Sequence, residues 1–117
     1  MSRMSNREEF RQKLREVSGY SYFYFDPPES VKMKYPCIIY KRDKLDRMDA
    51  DNTLYGLNVK YQVTVVDKDP DNGADIDEQG NPNESVIEKL LYGFQKIKHE
   101  RHYVVDNLHH DVFSIYF

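Results

Sequence analysis

Apolar residues along this chain follow two periods, and the switches between them mark out its elements. Phe10, Leu14 and Val17 recur at i, i+4 and i+7, the stripe of an amphipathic helix. Ser5 and Glu8 stand at capping-box spacing, Glu8 and Glu9 fall in the first turn, and Gly19 suits a left-handed cap, so the helix runs from Ser5 to Gly19. Tyr20-Ser-Tyr-Phe-Tyr-Phe25 predicts a strand that Asp26-Pro27-Pro28 stops. After Tyr35-Pro36, the segment Cys37 to Tyr40 predicts a second strand. Lys41 to Gly56 sustains neither period and reads as a long loop or bent hairpin arm. Leu57, Val59, Tyr61, Val63 and Val65 then alternate with Asn58, Lys60, Gln62 and Thr64, which gives a strand one core face and one wet face.

Ser85 and Glu88 repeat the capping-box spacing, and Ile87, Leu90, Leu91, Phe94 and Ile97 form the stripe of a second helix. Gly93 weakens that helix by about 1 kcal/mol relative to Ala, or admits another backbone. His99 to Val105 and Leu108 to Phe117 read as two strands joined at Asp106-Asn107, a pair that tolerates positive φ. The element order is α-β-β-β-α-β-β. The expected fold is α+β: one antiparallel sheet of four or five strands with two helices packed on one face, the other face left for water or a partner.

Length and charge narrow the possibilities. A chain of 117 residues supports one domain over 1–117, burying roughly two thirds of its unfolded surface. Its net charge of -3 argues against a dedicated duplex-DNA binder but is compatible with local basic patches. The single cysteine, Cys37, forms no internal disulfide and points to a reducing cytosol. The charged N-terminal segment shows no signal peptide, and no apolar run approaches the roughly 20 residues of a membrane span.

Several constellations carry possible chemistry. Asp67 to Glu78 holds six acids and one Lys and resembles a calcium-binding EF-hand loop. However, Asn72 stands where that loop needs Gly, Pro70 occupies its fourth position, and a strand precedes it; a solvated turn is the favoured reading. With a tight turn at Asp106-Asn107, His102 faces Asp111 and Val104 faces His109, which puts His102, His109 and Asp111 on one face. These are zinc-ligand types lacking a fourth member, and a cross-strand polar pair is the simpler account. The dispersed glycines make no phosphate loop, no Ser lies in a nucleophile elbow, and Cys37 reads as a buried structural thiol. Tyr22, Tyr24, Tyr40 and Tyr61 offer a stacking platform for single-stranded nucleic acid, or else core and protein interface.

The expected loop from Lys41 to Gly56 interleaves Lys41, Arg42, Lys44 and Arg47 with Asp43, Asp46, Asp49 and Asp51, and adds Leu45, Met48, Leu54 and Tyr55. Connections of this length are commonly functional or disordered, and alternating charge sets register and partner choice. The candidate interface residues are therefore Arg42, Lys44, Asp46, Arg47, Asp51, Asn52 and Tyr55, with a flexible solvated loop as the alternative.

Four stretches taken in order resemble the tail terminator proteins of long-tailed phages and prophages, also called tail completion or tail-to-head joining proteins. They are Pro27 to Asp43, Ala50-Asp-Asn52, Tyr61-Gln-Val-Thr-Val-Val-Asp-Lys-Asp-Pro-Asp71 and Asp106-Asn-Leu-His-His-Asp-Val-Phe113. The resemblance runs from the first helix to Phe117 and involves no catalytic signature, and Ala74 to Asn83 looks like a variable connection. It implies a structural protein, not an enzyme and without cofactor, that forms a homo-hexameric ring on the last tail-tube ring. That ring would stop polymerisation and dock to the neck, or head-completion, protein beneath the capsid. Genomic DNA would pass through its lumen without sequence-specific binding, and the protein would reside in the virion at the tail-neck junction after assembly in the bacterial cytoplasm. The alternatives are a small α+β single-stranded nucleic-acid-binding module and a small metal-dependent nuclease.

Overall fold

The computed structural model describes residues 5–47, 57–68 and 85–117. Its elements are α1 (Asn6–Ser18), β1 (Phe23–Phe25), β2 (Cys37–Arg47), β3 (Leu57–Asp67), α2 (Val86–Gly93), β4 (Lys96–Val105) and β5 (Leu108–Tyr116). Local chemistry explains the helix ends. Ser5 and Ser85 accept hydrogen bonds from the backbone N–H groups of Glu8 and Glu88, both at 3.2 Å, and Gly19 closes α1 at φ 74°, donating its N–H to the Arg15 carbonyl. In this way each cap pairs backbone groups that the helix itself leaves unpaired.

The five strands form one sheet in the order β1-β2-β3-β5-β4. It is mixed, not antiparallel throughout, because β1 runs parallel to β2 with Phe23 opposite Ile38 and Phe25 opposite Tyr40. Pro27 and Pro28 deny this turn the tight geometry of a hairpin, and the connection 26–36 returns the chain to start β2 in the same direction. Across the sheet the strand order differs from the order along the chain, since β5 is inserted between β3 and β4.

Four expected boundaries are corrected, one of them the start of β4, which is Lys96 and not His99. The first strand is only Phe23–Phe25, not Tyr20 to Phe25. The second continues past Tyr40 to Arg47, so Lys41 to Arg47 is strand and not loop. Its pairing with β3 slips between Arg42 and Lys44; a bulge at Asp43 resets the alternation, which is why no period survives in the sequence. Finally α2 stops at Gly93, and Phe94 is already extended at φ -120° and ψ 141°. Ile97 therefore belongs to β4, and Leu91 is exposed although it sits in the expected stripe.

Both helices contribute to a single core on one face of the sheet. Phe10 and Leu14 of α1 with Val86 and Leu90 of α2 pack against Ile38, Tyr40, Val59, Tyr61, Val63, Val65, Phe113 and Ile115. Phe10 is its centre: its ring stacks on Tyr61 at 4.0 Å and 10° and lies 5.7 Å from Phe94 and 5.3 Å from Phe117. The β4–β5 hairpin turns at Asp106 (φ 52°) and Asn107 (φ 64°), the positive φ pair that matches strand twist. Among the described residues no helix is long and apolar enough to cross a membrane.

Candidate functional site

The two sides of the sheet end differently. On one, β1 pairs only with Ile38 to Tyr40, so beyond Tyr40 the described part of β2 has β3 as its sole neighbour in the sheet. That arm carries four of the seven candidate interface residues, Arg42, Lys44, Asp46 and Arg47. Arg42 sits opposite Tyr61 and Lys44 opposite Lys60, while Asp46 and Arg47 pair with Asn58 and Leu57 in backbone register. Asp51, Asn52 and Tyr55 lie outside the described residues. Leu45 is 54% exposed, and Lys60 Nζ reaches Asp43 Oδ2 at 3.5 Å.

Where α1 begins beside this arm, Ser5, Asn6, Arg7, Arg42, Leu45, Val59 and Tyr61 line a hollow of about 370 Å³. The guanidinium groups of Arg7 and Arg42 lie 4.6 and 5.6 Å from the centre of the Phe25 ring, within cation–π range. The Tyr61 hydroxyl donates to Asn6 Oδ1 at 2.6 Å. Burial holds the Tyr61 phenol above its ordinary 10.0, with Arg42 acting in the opposite sense. Sequence reasoning missed Asn6 and Arg7, which looked like ordinary polar positions of an amphipathic helix; only the packing of α1 on Tyr61 brings them here.

On the opposite side, β4 is the last strand of the sheet, and nine of its ten residues are exposed. Tyr103 stacks on His110 at 4.6 Å and 11°, with the Arg101 guanidinium 5.9 Å from the Tyr103 ring. Val104 and Val105 beside the turn are about half exposed.

The histidines do converge. His102 pairs with Asp111 and Val104 with His109, the register that a two-residue turn dictates. Asp111 is buried, and its Oδ1 lies 2.9 Å from His102 Nδ1 and 3.0 Å from His99 Nε2, with His109 Nδ1 3.3 Å from His102 Nε2. His99 joins the cluster because a second bulge, between His99 and Arg101, places it beside Asp111, an irregularity the sequence does not signal. The rings of His99 and His102 converge on Asp111 itself. Among the described residues no group of three or more His, Cys, Asp or Glu is arranged to hold a metal ion. Only Asp67 and Lys68 of the acidic segment are described; Asp67 accepts a 2.6 Å hydrogen bond from the Tyr20 hydroxyl.

The tyrosine platform is not assembled. Tyr40 and Tyr61 lie in the core beneath the helices, Tyr22 is partly exposed, and Tyr24 uses its hydroxyl to accept the Lys34 N–H at 2.9 Å. Cys37 is buried, and burial, reinforced by nearby Asp67, pushes its thiol up to about 12, the opposite of what a nucleophile needs. In comparisons with known proteins, the sequence matches no protein-family model and no curated protein.

Proposed function

We propose that this chain is a structural subunit of tail-terminator type, building a hexameric ring that caps a phage tail tube, stops its polymerisation and joins the tail to the neck. The observation that carries this reading is the pair of unlike sheet edges, a charged β2 arm on one side and an almost wholly exposed β4 on the other. A surface that meets a different surface on the next copy makes a heterologous contact, and such a contact generates a ring when its rotation closes. Exposed strand edges also pair readily with another chain. The ring's six-fold number comes from the family resemblance alone.

Under this reading the partners are five further copies, the tail tube protein and a neck or head-completion protein, and the site of action is the tail-neck junction of a virion. The hollow at Arg7 and Arg42 and the Tyr103–His110 stack are then contact surfaces, not reaction centres. The single-stranded nucleic-acid module is the weaker reading, because two of the four tyrosines it relies on, Tyr40 and Tyr61, are 3% and 0% exposed. Infection of a host with a phage lacking its own terminator, complemented by this chain, tests the proposal. Tails of normal length joined to heads support it; overlong headless tails despite soluble expression oppose it.

A further inference from the structure

Strand register gathers histidines beside the turn of the β4–β5 hairpin. Val65, Asp111 and His102 stand in one row across β3, β5 and β4, and Asp67, His109 and Val104 in the next. Val65 belongs to the core, so these rows lie on the side of the sheet that carries the helices. His110, one residue along β5, falls on the other side, where it stacks on Tyr103 and approaches the Leu108 carbonyl.

The buried carboxylate fixes the chemistry of His102. Asp111 is 2% exposed, and its Oδ1 lies 2.9 Å from His102 Nδ1 and 3.0 Å from His99 Nε2. A carboxylate oxygen only accepts, so both of these ring nitrogens carry a proton. In the neutral imidazole of His102 the other nitrogen, Nε2, is then bare and presents a lone pair. The His102 side chain is 40% exposed, and His109 Nδ1 lies 3.3 Å from that lone pair on the exposed side of the cluster. Asp111 Oδ2 is buried and has no hydrogen-bond partner among the described residues, which leaves this carboxylate short of compensation for its charge.

The two facing nitrogens have the spacing of metal ligands. Heavy atoms of a hydrogen bond ordinarily stand about 2.7 to 3.2 Å apart, so 3.3 Å is long for one. Two nitrogens bound to the same tetrahedral zinc ion at their usual bond lengths stand about 3.3 to 3.4 Å apart, with the ring centres about 5.2 Å apart. The ring centres of His102 and His109 are 5.3 Å apart. We propose that His102 Nε2 and His109 Nδ1 bind one divalent transition-metal ion of the zinc class. Asp111 stands behind His102 as the outer carboxylate that orients it, an arrangement common to metal-bound histidines, and water completes the coordination.

Imidazole nitrogens select zinc, copper or nickel over calcium and magnesium, which prefer oxygen. His99 turns its proton to Asp111 and braces it, so the cluster offers two direct ligands, in keeping with the lack of any three-ligand group among the described residues. A pair of ligands makes a loose site, with a Kd of about 1 to 100 μM, far weaker than a closed structural zinc centre. An ion held there ties β4 to β5 across a diagonal of the hairpin, next to the exposed edge of the sheet.

Isothermal titration of the full chain, free of any polyhistidine tag, with zinc chloride tests the site. We expect one ion per chain. His102→Gln and His109→Gln should each weaken binding at least about tenfold by removing a direct ligand, and Asp111→Asn about tenfold by releasing the orientation of His102. His110→Gln, on the other side of the sheet, should leave affinity within about twofold. Long-range proton–nitrogen spectra of the parent give a readout that needs no variant: zinc should shift His102 Nε2 and His109 Nδ1 and leave His110 in place. No saturable binding below about 1 mM zinc would overturn the proposal and leave the contact a long hydrogen bond. Binding that survives both ligand variants, or zinc shifts at His110 instead, would overturn it by placing the ion elsewhere. Half an ion per chain with a doubled mass would overturn it in favour of a site shared between copies. The site stands apart from the ring reading, and its failure leaves the complementation test untouched.

Discussion

A Cβ atom on Gly93 would stand 2.6 Å from Cγ1 of Val17, so the last residue of α2 meets α1 with no room for a side chain. Valine has little freedom at χ1 to withdraw. Gly93→Ala should therefore destabilise the fold by about 1 to 3 kcal/mol, the usual cost of overpacking, despite alanine's better helix propensity. Thermal melts of the double-mutant cycle with Val17→Ala check this. The Gly93→Ala penalty should shrink once Val17 is truncated, and an unchanged penalty would place its cause elsewhere.

Cys37 supplies a pH signature. Its thiol is raised from an ordinary 9.0 to about 12, first by burial and then by Asp67. The folded state thus holds this proton more tightly than the unfolded chain. Its stabilising contribution is complete below pH 9 and is lost as pH rises from 9 towards 12. Denaturant midpoints measured across that range should fall more steeply for the parent than for Cys37→Ala. At pH 8 the native thiol should resist a disulfide reagent that labels it at once in denaturant.

The last strand ends fastened. The Phe117 N–H donates to the Val59 carbonyl at 2.9 Å, and Asn6 Nδ2 donates to the Phe117 carbonyl at 3.1 Å. Removing Ile115 to Phe117 takes a fully buried isoleucine and two ladders' worth of pairing with it, and should abolish cooperative unfolding in calorimetry. Asn6→Ala leaves the Tyr61 hydroxyl and the Phe117 carbonyl short of a partner, and should cost about 1 to 3 kcal/mol. An intact melt in the truncated chain would contradict the assigned role.

The elements most legible in the sequence were those whose signals are local. Ser5 with Glu8, Ser85 with Glu88 and the Asp106-Asn107 turn each act within a few residues, and β3 declares itself by strict alternation because one face is core. What could not be seen were effects of register and neighbours. The bulge at Asp43 erased the period of β2 and hid half a strand, and the bulge before Arg101 brought His99 to Asp111. Parallel pairing of β1 depends on the path of 26–36, not on Phe23–Phe25. Aromatic content marked Tyr40 and Tyr61 as strand residues without saying which face would be covered. Of the candidate interface residues, Arg42, Lys44, Asp46 and Arg47 fall on β2 rather than in a loop. That Arg42 stands opposite Tyr61 and Lys44 opposite Lys60 follows only from pairing with β3.

Charge reversal separates assembly from folding on the β2 side. If the charges of Arg47 and Asp51 serve assembly and not folding, Arg47→Glu and Asp51→Lys, made singly, should change stability by no more than about 0.5 kcal/mol. Either should nonetheless prevent ring formation in native mass spectrometry or leave complemented tails overlong. If both variants assemble and complement like the parent, the interface lies on β4 and its hairpin.

The central claim is that copies of this subunit join edge to edge into a closed ring on a tail tube. Cryo-electron microscopy class averages of the purified chain mixed with tail tubes test it most directly. The account expects end-on averages with six-fold symmetry and side views with one added layer at a single end of each tube. Bare tube ends beside a population that stays monomeric would contradict it.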